Sequence, residues 1–151
     1  MEHWDAAQYL KFKQQRTRPA IDLAARIPLE HPEKIADIGC GPGNSTAVLK
    51  QRFPGAKIVG ADSSADMIAA AEQAHPEMQF IQCDAQTELE KLGQDYDVVF
   101  SNACLQWIPD HPVMIPKMLQ MLRPGGVLAV SAVHRQDGPA LNGVEVALDK
   151  T

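Results

Sequence analysis

Two acids and a short glycine-rich segment are the residues of this chain best suited to binding chemistry. Asp37 stands two residues before the first of three alternating glycines, Gly39, Gly41 and Gly43, and Asp62 follows 19 residues after the last of them. Glycine lacks a Cβ, so such a turn can adopt positive φ and let a ligand press against main-chain atoms. A carboxylate beside the turn repels a pyrophosphate and attracts an ammonium or sulfonium group. The segment therefore predicts a site for a small cationic ligand.

The glycine spacing separates this turn from two other glycine-rich loops. It is G-x-G-x-G, whereas the dinucleotide fingerprint is G-x-G-x-x-G with the pyrophosphate on a helix N-terminus. A phosphate-binding P-loop would require a following Gly-Lys-Ser/Thr, which is missing here. A glycine-rich turn that binds nothing is the remaining alternative.

The turn must be held by a strand before it and a helix after it. Residues 34–38 are too few for a helix and end at a breaker, so they predict a strand. Asn44, Ser45 or Thr46 could cap the helix that follows and ends at Pro54.

Helical and strand patterns alternate along the rest of the chain. The other predicted strands are 57–62, 78–83, 97–101 and 127–133, and the other predicted helices are 5–27 in two pieces, 64–74, 87–92 and 112–122. Such alternation predicts an α/β fold, a doubly wound parallel sheet, whose ligands bind at the carboxyl ends of the strands. Asp37, Asp62, Asp84 and Asn102 all fall at those ends.

Length and composition limit the class of protein. The chain has 151 residues, about one domain, and a net charge of −5 without a Lys/Arg cluster, which argues against a nucleic-acid partner. Cys40, Cys83 and Cys104 are odd in number and widely spaced, as in a reducing cytoplasm. The N-terminus lacks the pattern of a signal peptide, and no apolar run reaches the length of a membrane span. We therefore expect a cytoplasmic protein with no membrane partner.

With these residues in place, the sequence resembles the class I S-adenosylmethionine (SAM) methyltransferases in its acid, three glycines and second acid. A narrower set of residues is similar to the trans-aconitate methyltransferase family, over about residues 1 to 133. That set is Trp4-Asp5, Tyr9-Leu10-x-Phe12, Arg16-x-Arg18-Pro19, the segment from Asp37 to Thr46, Asp62-Ser63-Ser64, and the segment from Asn102 to His111.

The resemblance implies SAM as the cofactor. Asp62 would accept from both ribose hydroxyls, Asp84 from the adenine amino group, and Met67 would cover one face of the purine. Taken singly, Asp62 and Asp84 could instead cap helices, and Met67 could belong to the core. The complete set of implied cofactor residues is Asp37, Gly39, Gly41, Gly43, Asn44, Asp62, Ser63, Met67, Asp84, Ala85 and Asn102.

The resemblance also implies a substrate, since that family esterifies a terminal carboxylate of a tricarboxylic acid. A carboxylate is already an anionic nucleophile, so no general base is required and catalysis rests on proximity. Arg16, Arg18 or His111 could pair with the spectator carboxylates, although two arginines could equally be a solvated face. The implied substrate residues are Tyr9, Arg16, Arg18, Gln106, Trp107 and His111.

The resemblance sets the predicted domain limits as well. It implies an N-terminal helical lid at 1–28, a Rossmann-like SAM-binding core at 29–133, and at 134–151 the start of a truncated substrate cap. From the residues alone, Leu141, Val144, Ala147 and Leu148 could form a helix after Pro139, although Gly143 weakens it. The family continues for about a hundred residues past the fifth strand, and class I methyltransferases usually have a seven-stranded sheet. We therefore expect the sheet of this chain to be truncated after the fifth strand. The exposed edge would favour self-association. The alternatives are a methyltransferase for another small molecule, a SAM-binding but inactive remnant and, least favoured, a dinucleotide oxidoreductase.

Overall fold

The computed structural model describes residues 17–102, 111–134 and 141–148 of the chain. The strands are β1 (Lys34–Ile38), β2 (Lys57–Asp62), β3 (Gln79–Gln82), β4 (Tyr96–Asn102), β5 (Leu122–His134) and β6 (Leu141–Leu148). The helices are α1 (residues 17–25), α2 (Asn44–Arg52), α3 (Ala65–Ala74), a 3-10 helix (Leu89–Leu92) and α4 (His111–Gln120). The predicted bounds of β1 and β2 are confirmed. The first predicted piece of the N-terminal helix lies outside the described residues.

The strands form a single six-stranded sheet in the order β3-β2-β1-β4-β5-β6. All pairs among β1 to β5 are parallel, which confirms the predicted doubly wound sheet. The strand order reverses at β1, which lies between β2 and β4. In open parallel sheets this switch point forms a crevice at the carboxyl ends of the strands.

The C-terminal segment differs from its prediction. Residues 141–148 form a strand, β6, rather than a helix, and they pair antiparallel with β5 from Val127↔Leu148 to His134↔Leu141. Gly143 disfavours a helix, whereas Val144 and Val146 suit a strand. Because β6 covers β5, the predicted exposed fifth-strand edge is wrong, and with it the premise for self-association at that edge.

Apolar residues cover both faces of the sheet. On one face Ile35 packs in a cluster with Leu23 of α1 and Leu49 of α2. On the other face Val99 packs in a cluster with Met118 of α4. Successive residues of a strand point to opposite faces, so helices on both sides are needed to bury strands as apolar as β4. In the described part of the chain, every helix is too short or too polar to cross a lipid bilayer.

A buried acid ties the two central strands together at their amino ends. The Asp97 carboxylate of β4 accepts the main-chain N–H groups of Glu33 and Lys34 at 2.7 and 2.9 Å, and it forms an ion pair with Arg123. Three donors compensate the burial of this charge, as a buried carboxylate requires. The contact fixes β1 beside β4.

Close packing against Gly60 of β2 makes a stability prediction. A Cβ at this position would lie 2.6 Å from Cδ1 of Phe80 and 3.2 Å from Cβ of Cys40. We therefore expect Gly60→Ala to lower the free energy of unfolding by about 1–3 kcal/mol, the usual cost of overpacking. Urea denaturation would measure it. The matched control is Gly55→Ala, where a Cβ meets nothing within 4 Å and the substitution should be neutral or slightly stabilising. Equal losses for both variants would contradict the packing argument.

Candidate functional site

The glycine turn joins β1 to α2 in a left-handed conformation. Gly39, Gly41 and Gly43 have φ of 76°, 56° and 97°, a region that side chains with a Cβ rarely adopt. The N–H groups of Gly39 and Cys40 both donate to the Ala61 carbonyl of β2, at 2.7 and 2.9 Å. The turn is thereby fixed over the carboxyl end of the neighbouring strand.

Asp37 holds the glycine turn in place through buried hydrogen bonds. Its side chain has no exposed surface, and its Oδ2 accepts hydrogen bonds from the hydroxyls of Ser45 and Thr46, both at 2.7 Å. These bonds tie the first turn of α2 to the end of β1. The expected side-chain cap of α2 is wrong, because Gly43 occupies the N-cap position without a side-chain hydrogen bond. A direct contact between Asp37 and a cationic ligand stays a prediction.

Asp62, the last residue of β2, links the glycine turn to α3. Gly41 N–H donates to its Oδ2 at 3.0 Å, and Ser64 N–H donates to its Oδ1 at 2.9 Å. Ser64 in turn caps α3 by accepting from the Met67 N–H at 3.3 Å. A carboxylate oxygen can accept more than one hydrogen bond, so both oxygens of this half-buried acid keep capacity for two hydroxyl donors.

Met67 stands out by its exposure. It is 38% exposed, and among the side chains that the structure describes, at 17–102 and 115–130, the other exposed large apolar residue is Ile21 at 50%. The alternative that Met67 belongs to the core is therefore excluded. Ser63, between Asp62 and the cap of α3, is exposed as well. An uncovered thioether beside a hydrogen-bonding acid is an arrangement that suits a flat ligand.

Asp84 lies in the loop after β3, at the same carboxyl-end edge of the sheet. Its Oδ1 accepts the Gln86 N–H at 2.8 Å, and its own N–H donates to Oε1 of Glu88 at 3.0 Å. The preceding residue, Cys83, donates its N–H to the Asp62 carbonyl at 2.9 Å. The loop that carries Asp84 and the half-buried Ala85 is thus bonded to the end of β2.

Two titratable groups of this loop are shifted. Burial, and secondarily the charge of Glu88, raise the pKa of the Cys83 thiol, which therefore stays neutral. Hydrogen bonds from Lys91 and then from the Asp84 main chain lower the pKa of Glu88. A neutral buried thiol is a poor nucleophile, so Cys83 is a packing residue.

Asn102 ends β4 on the other side of β1. It is 7% exposed and lines a small recess together with residues of the glycine turn and the start of α2. The other residues of that recess are Gly39, Cys40, Pro42, Asn44 and Ser45. The structure therefore places Asn102, which the carboxyl-end argument assigned to this edge, in one recess with Asn44 at the switch point.

Of the six predicted substrate residues, only two lie in the part of the chain that the structure describes. Tyr9, Arg16, Gln106 and Trp107 lie outside the described residues. Arg18 is exposed on α1, and His111 is the first residue of α4. Their contact with a substrate stays a prediction.

Sequence reasoning missed two residues that back the glycine turn. A Cβ on Gly43 would lie 2.8 Å from Cδ2 of His75 and 3.3 Å from Cζ of Phe80, so both rings pack against the turn. A signal was available in β2, because a lone glycine inside a strand, here Gly60, often marks a close approach by another group. That signal does not say which residue approaches.

Comparisons with known proteins agree with this geometry. Residues 35–126 match the family model described as "Methyltransferase domain". The chain is 47% identical over 140 residues to a trans-aconitate 2-methyltransferase of Azoarcus sp. (strain BH72), covering 93% of this chain and 54% of the relative. It is 50% identical over 130 residues to the protein of the same name from Escherichia coli (strain K12 / DH10B), covering 86% of this chain and 51% of the relative. The chain thus spans about half the length of the curated relatives it matches.

A solved structure matches the fold. It is Haemonchus contortus phosphoethanolamine N-methyltransferase 2 in complex with S-adenosyl-L-methionine, with a TM-score of 0.67 and 26% identity. The match covers 80% of this chain and 30% of the other.

Proposed function

The chain belongs to the family of methyltransferase domains, and on this premise we propose that it binds SAM and methylates a carboxylate of a small polycarboxylic acid such as trans-aconitate. One observation carries the proposal. Asp62 joins the glycine turn to the capped start of α3, with the exposed Met67 directly beyond it.

The described residues fit the parts of SAM. Asp62 has hydrogen-bonding capacity on both oxygens, which suits a ribose diol. Met67 offers an uncovered apolar surface to a purine, and Asp84 with Ala85 lies on the neighbouring loop for its polar edge. The turn at Gly41 and the recess at Asn102 then remain for the methionine part.

The protein's own contribution to the reaction is positioning. SAM supplies an activated methyl group when it is bound. Asp37 and Asp62 hold the turn rigidly between β1, β2 and α2, so the site is formed before a ligand arrives. An ionised carboxylate acceptor has no proton to lose, and the neutral Cys83 is not needed as a nucleophile. Alignment of acceptor and methyl group supplies the rate enhancement.

The acceptor class rests on the relatives. Trans-aconitate 2-methyltransferases at 47% and 50% identity support a polycarboxylate, and their greater length makes the activity of this chain by itself part of the proposal. We also propose a cytoplasmic location, because the buried Cys83 is a free thiol, as is usual in a reducing compartment.

The test has two steps. Calorimetric titration with S-adenosylhomocysteine measures cofactor binding, with NAD as the matched negative ligand. Mass spectrometry of trans-aconitate incubated with SAM and the protein then detects the methyl ester. We expect S-adenosylhomocysteine to bind, NAD not to bind, and the ester to form. Binding without turnover would leave a SAM-binding module and contradict the catalytic half, whereas tight NAD binding would contradict the ligand.

Arg18 provides a prediction about the substrate. If its guanidinium pairs with a spectator carboxylate, Arg18→Gln should raise KM for trans-aconitate by about tenfold, the scale of one charge-assisted hydrogen bond. KM for the monocarboxylate crotonate should change much less, since it has no spectator charge. Steady-state kinetics measures both. The control is Arg26→Gln, which removes another exposed arginine just after α1. Equal effects of the two variants would assign Arg18 to a solvated face.

A further inference from the structure

A second cavity lies at the amino ends of the strands, at the edge of the sheet opposite the glycine turn. It has a volume of about 220 Å³. Its lining combines three lysines with apolar side chains: Lys34, Lys57, Lys91, Val59, Ile81, Leu92 and Tyr96, with Gln79 beside them. This edge takes no part in the cofactor site.

The cavity exists because the connection between β3 and β4 contains little regular structure to cover the sheet. Its regular structure is the four-residue 3-10 helix Leu89–Leu92, whereas a parallel crossover usually carries a full α-helix. The face of β2 and β3 is consequently left partly uncovered, with Ile81 half-buried and Gln79 exposed. Val59 and Ile81 supply an apolar floor, since they lie on the same face of neighbouring strands.

The rim of the cavity carries uncompensated positive charge. Lys34 and Lys57 are register partners on β1 and β2, so their side chains leave the sheet side by side, and like charges in such positions repel. Lys34 Nζ donates to the Gln94 carbonyl at 2.6 Å and lies 4.4 Å from the centroid of the Tyr96 ring. Neither partner is an acid.

The third lysine is already neutralised. Lys91 forms an ion pair with Glu88, whereas Lys57 is exposed and makes no ion pair among the described residues. Two positive charges therefore face an apolar floor in a chain whose net charge is −5. Such a combination favours an anion with an apolar body over inorganic phosphate, which has no apolar part to bury.

We propose that this cavity binds a small organic carboxylate, with the carboxylate between Lys34 and Lys57 and the apolar body over Val59 and Ile81. Its volume is below the roughly 300 Å³ at which sites for drug-sized ligands begin, so the ligand has the size of a single ring or a short acyl chain. The site goes beyond the proposed methyl transfer and is independent of it.

The test uses benzoate as the probe and benzamide as its neutral isostere. In ¹H–¹⁵N spectra of the whole chain, benzoate should shift the amides of Lys57, Gln79 and Leu92 with a millimolar dissociation constant that weakens with salt. Benzamide should shift them much less. Equal shifts from both probes, or benzoate shifts confined to Gly41 and Asn102 at the other edge, would overturn the proposal.

Substitutions of the two lysines test whether their charges bind the carboxylate. Lys57→Gln should weaken benzoate by up to about fivefold, the scale of a partly exposed ion pair, and the double variant with Lys34→Gln should weaken it further. The control is Arg26→Gln, which removes an exposed cation just after α1, where Ala24 and Ile27 pack in the cluster on the opposite face of the sheet, and it should change nothing. Binding that falls equally in the Arg26 and Lys57 variants would overturn the proposal.

Discussion

Asp62→Ala should weaken S-adenosylhomocysteine binding by at least about a hundredfold, because two hydrogen bonds to a charged acceptor are worth roughly 1.5–3 kcal/mol each. The loss of binding free energy should exceed the contribution of the two ribose hydrogen bonds alone. Asp62 also holds Gly41 and Ser64 through their main-chain N–H groups, so the turn and the start of α3 lose their common anchor. Isothermal titration calorimetry would measure the affinity.

Two controls separate these contributions. Asp66→Ala removes an exposed acid from the first turn of α3 and should leave the affinity unchanged. Ser64→Ala removes only the cap, a loss of about 1 kcal/mol in stability with a small effect on binding. Unchanged affinity in Asp62→Ala would remove this acid from the site.

Asp37→Ala should lower the free energy of unfolding by about 2–4 kcal/mol, because it leaves two buried hydroxyls, those of Ser45 and Thr46, without their acceptor. S-adenosylhomocysteine binding should fall with it, since α2 is then no longer tied to β1. Urea denaturation and calorimetry on the same sample would measure the two effects.

Asp37→Asn distinguishes support of the turn from direct contact with a ligand. Asparagine keeps an acceptor oxygen for the hydroxyls but has no charge, so a supporting role predicts nearly normal binding and a contact with a ligand cation predicts a clear loss. Thr46→Val removes one donor and should lower stability by about 1 kcal/mol. An Asp37→Ala variant as stable as the parent would contradict the supporting role.

The parallel sheet was predictable because its signals are local. β1 and β2 are short apolar runs closed by breakers, and regular alternation of strands and helices leaves few topologies. The C-terminal strand was not predictable in this way. Leu141, Val144, Ala147 and Leu148 also fit a helical spacing, and the free edge of β5, which decided the outcome, is a property of the assembled sheet.

The candidate site likewise contains residues that could be placed from the sequence and residues that could not. Asp62, Asp84 and Asn102 could be placed because strand ends locate them. The burial of Asp37 under the turn could not, since it depends on how α2 packs, and the contact of His75 and Phe80 with Gly43 joins residues distant in the chain.

The contact between Asp97 and β1 has a consequence for how the molecule assembles. Its partners are 63 and 64 residues apart in the chain, so making it closes a long loop of high entropic cost. β1 reaches its place between β2 and β4 only when β4 has been made. During synthesis the glycine turn at the end of β1 therefore stays without its second neighbouring strand until Asn102 has left the ribosome.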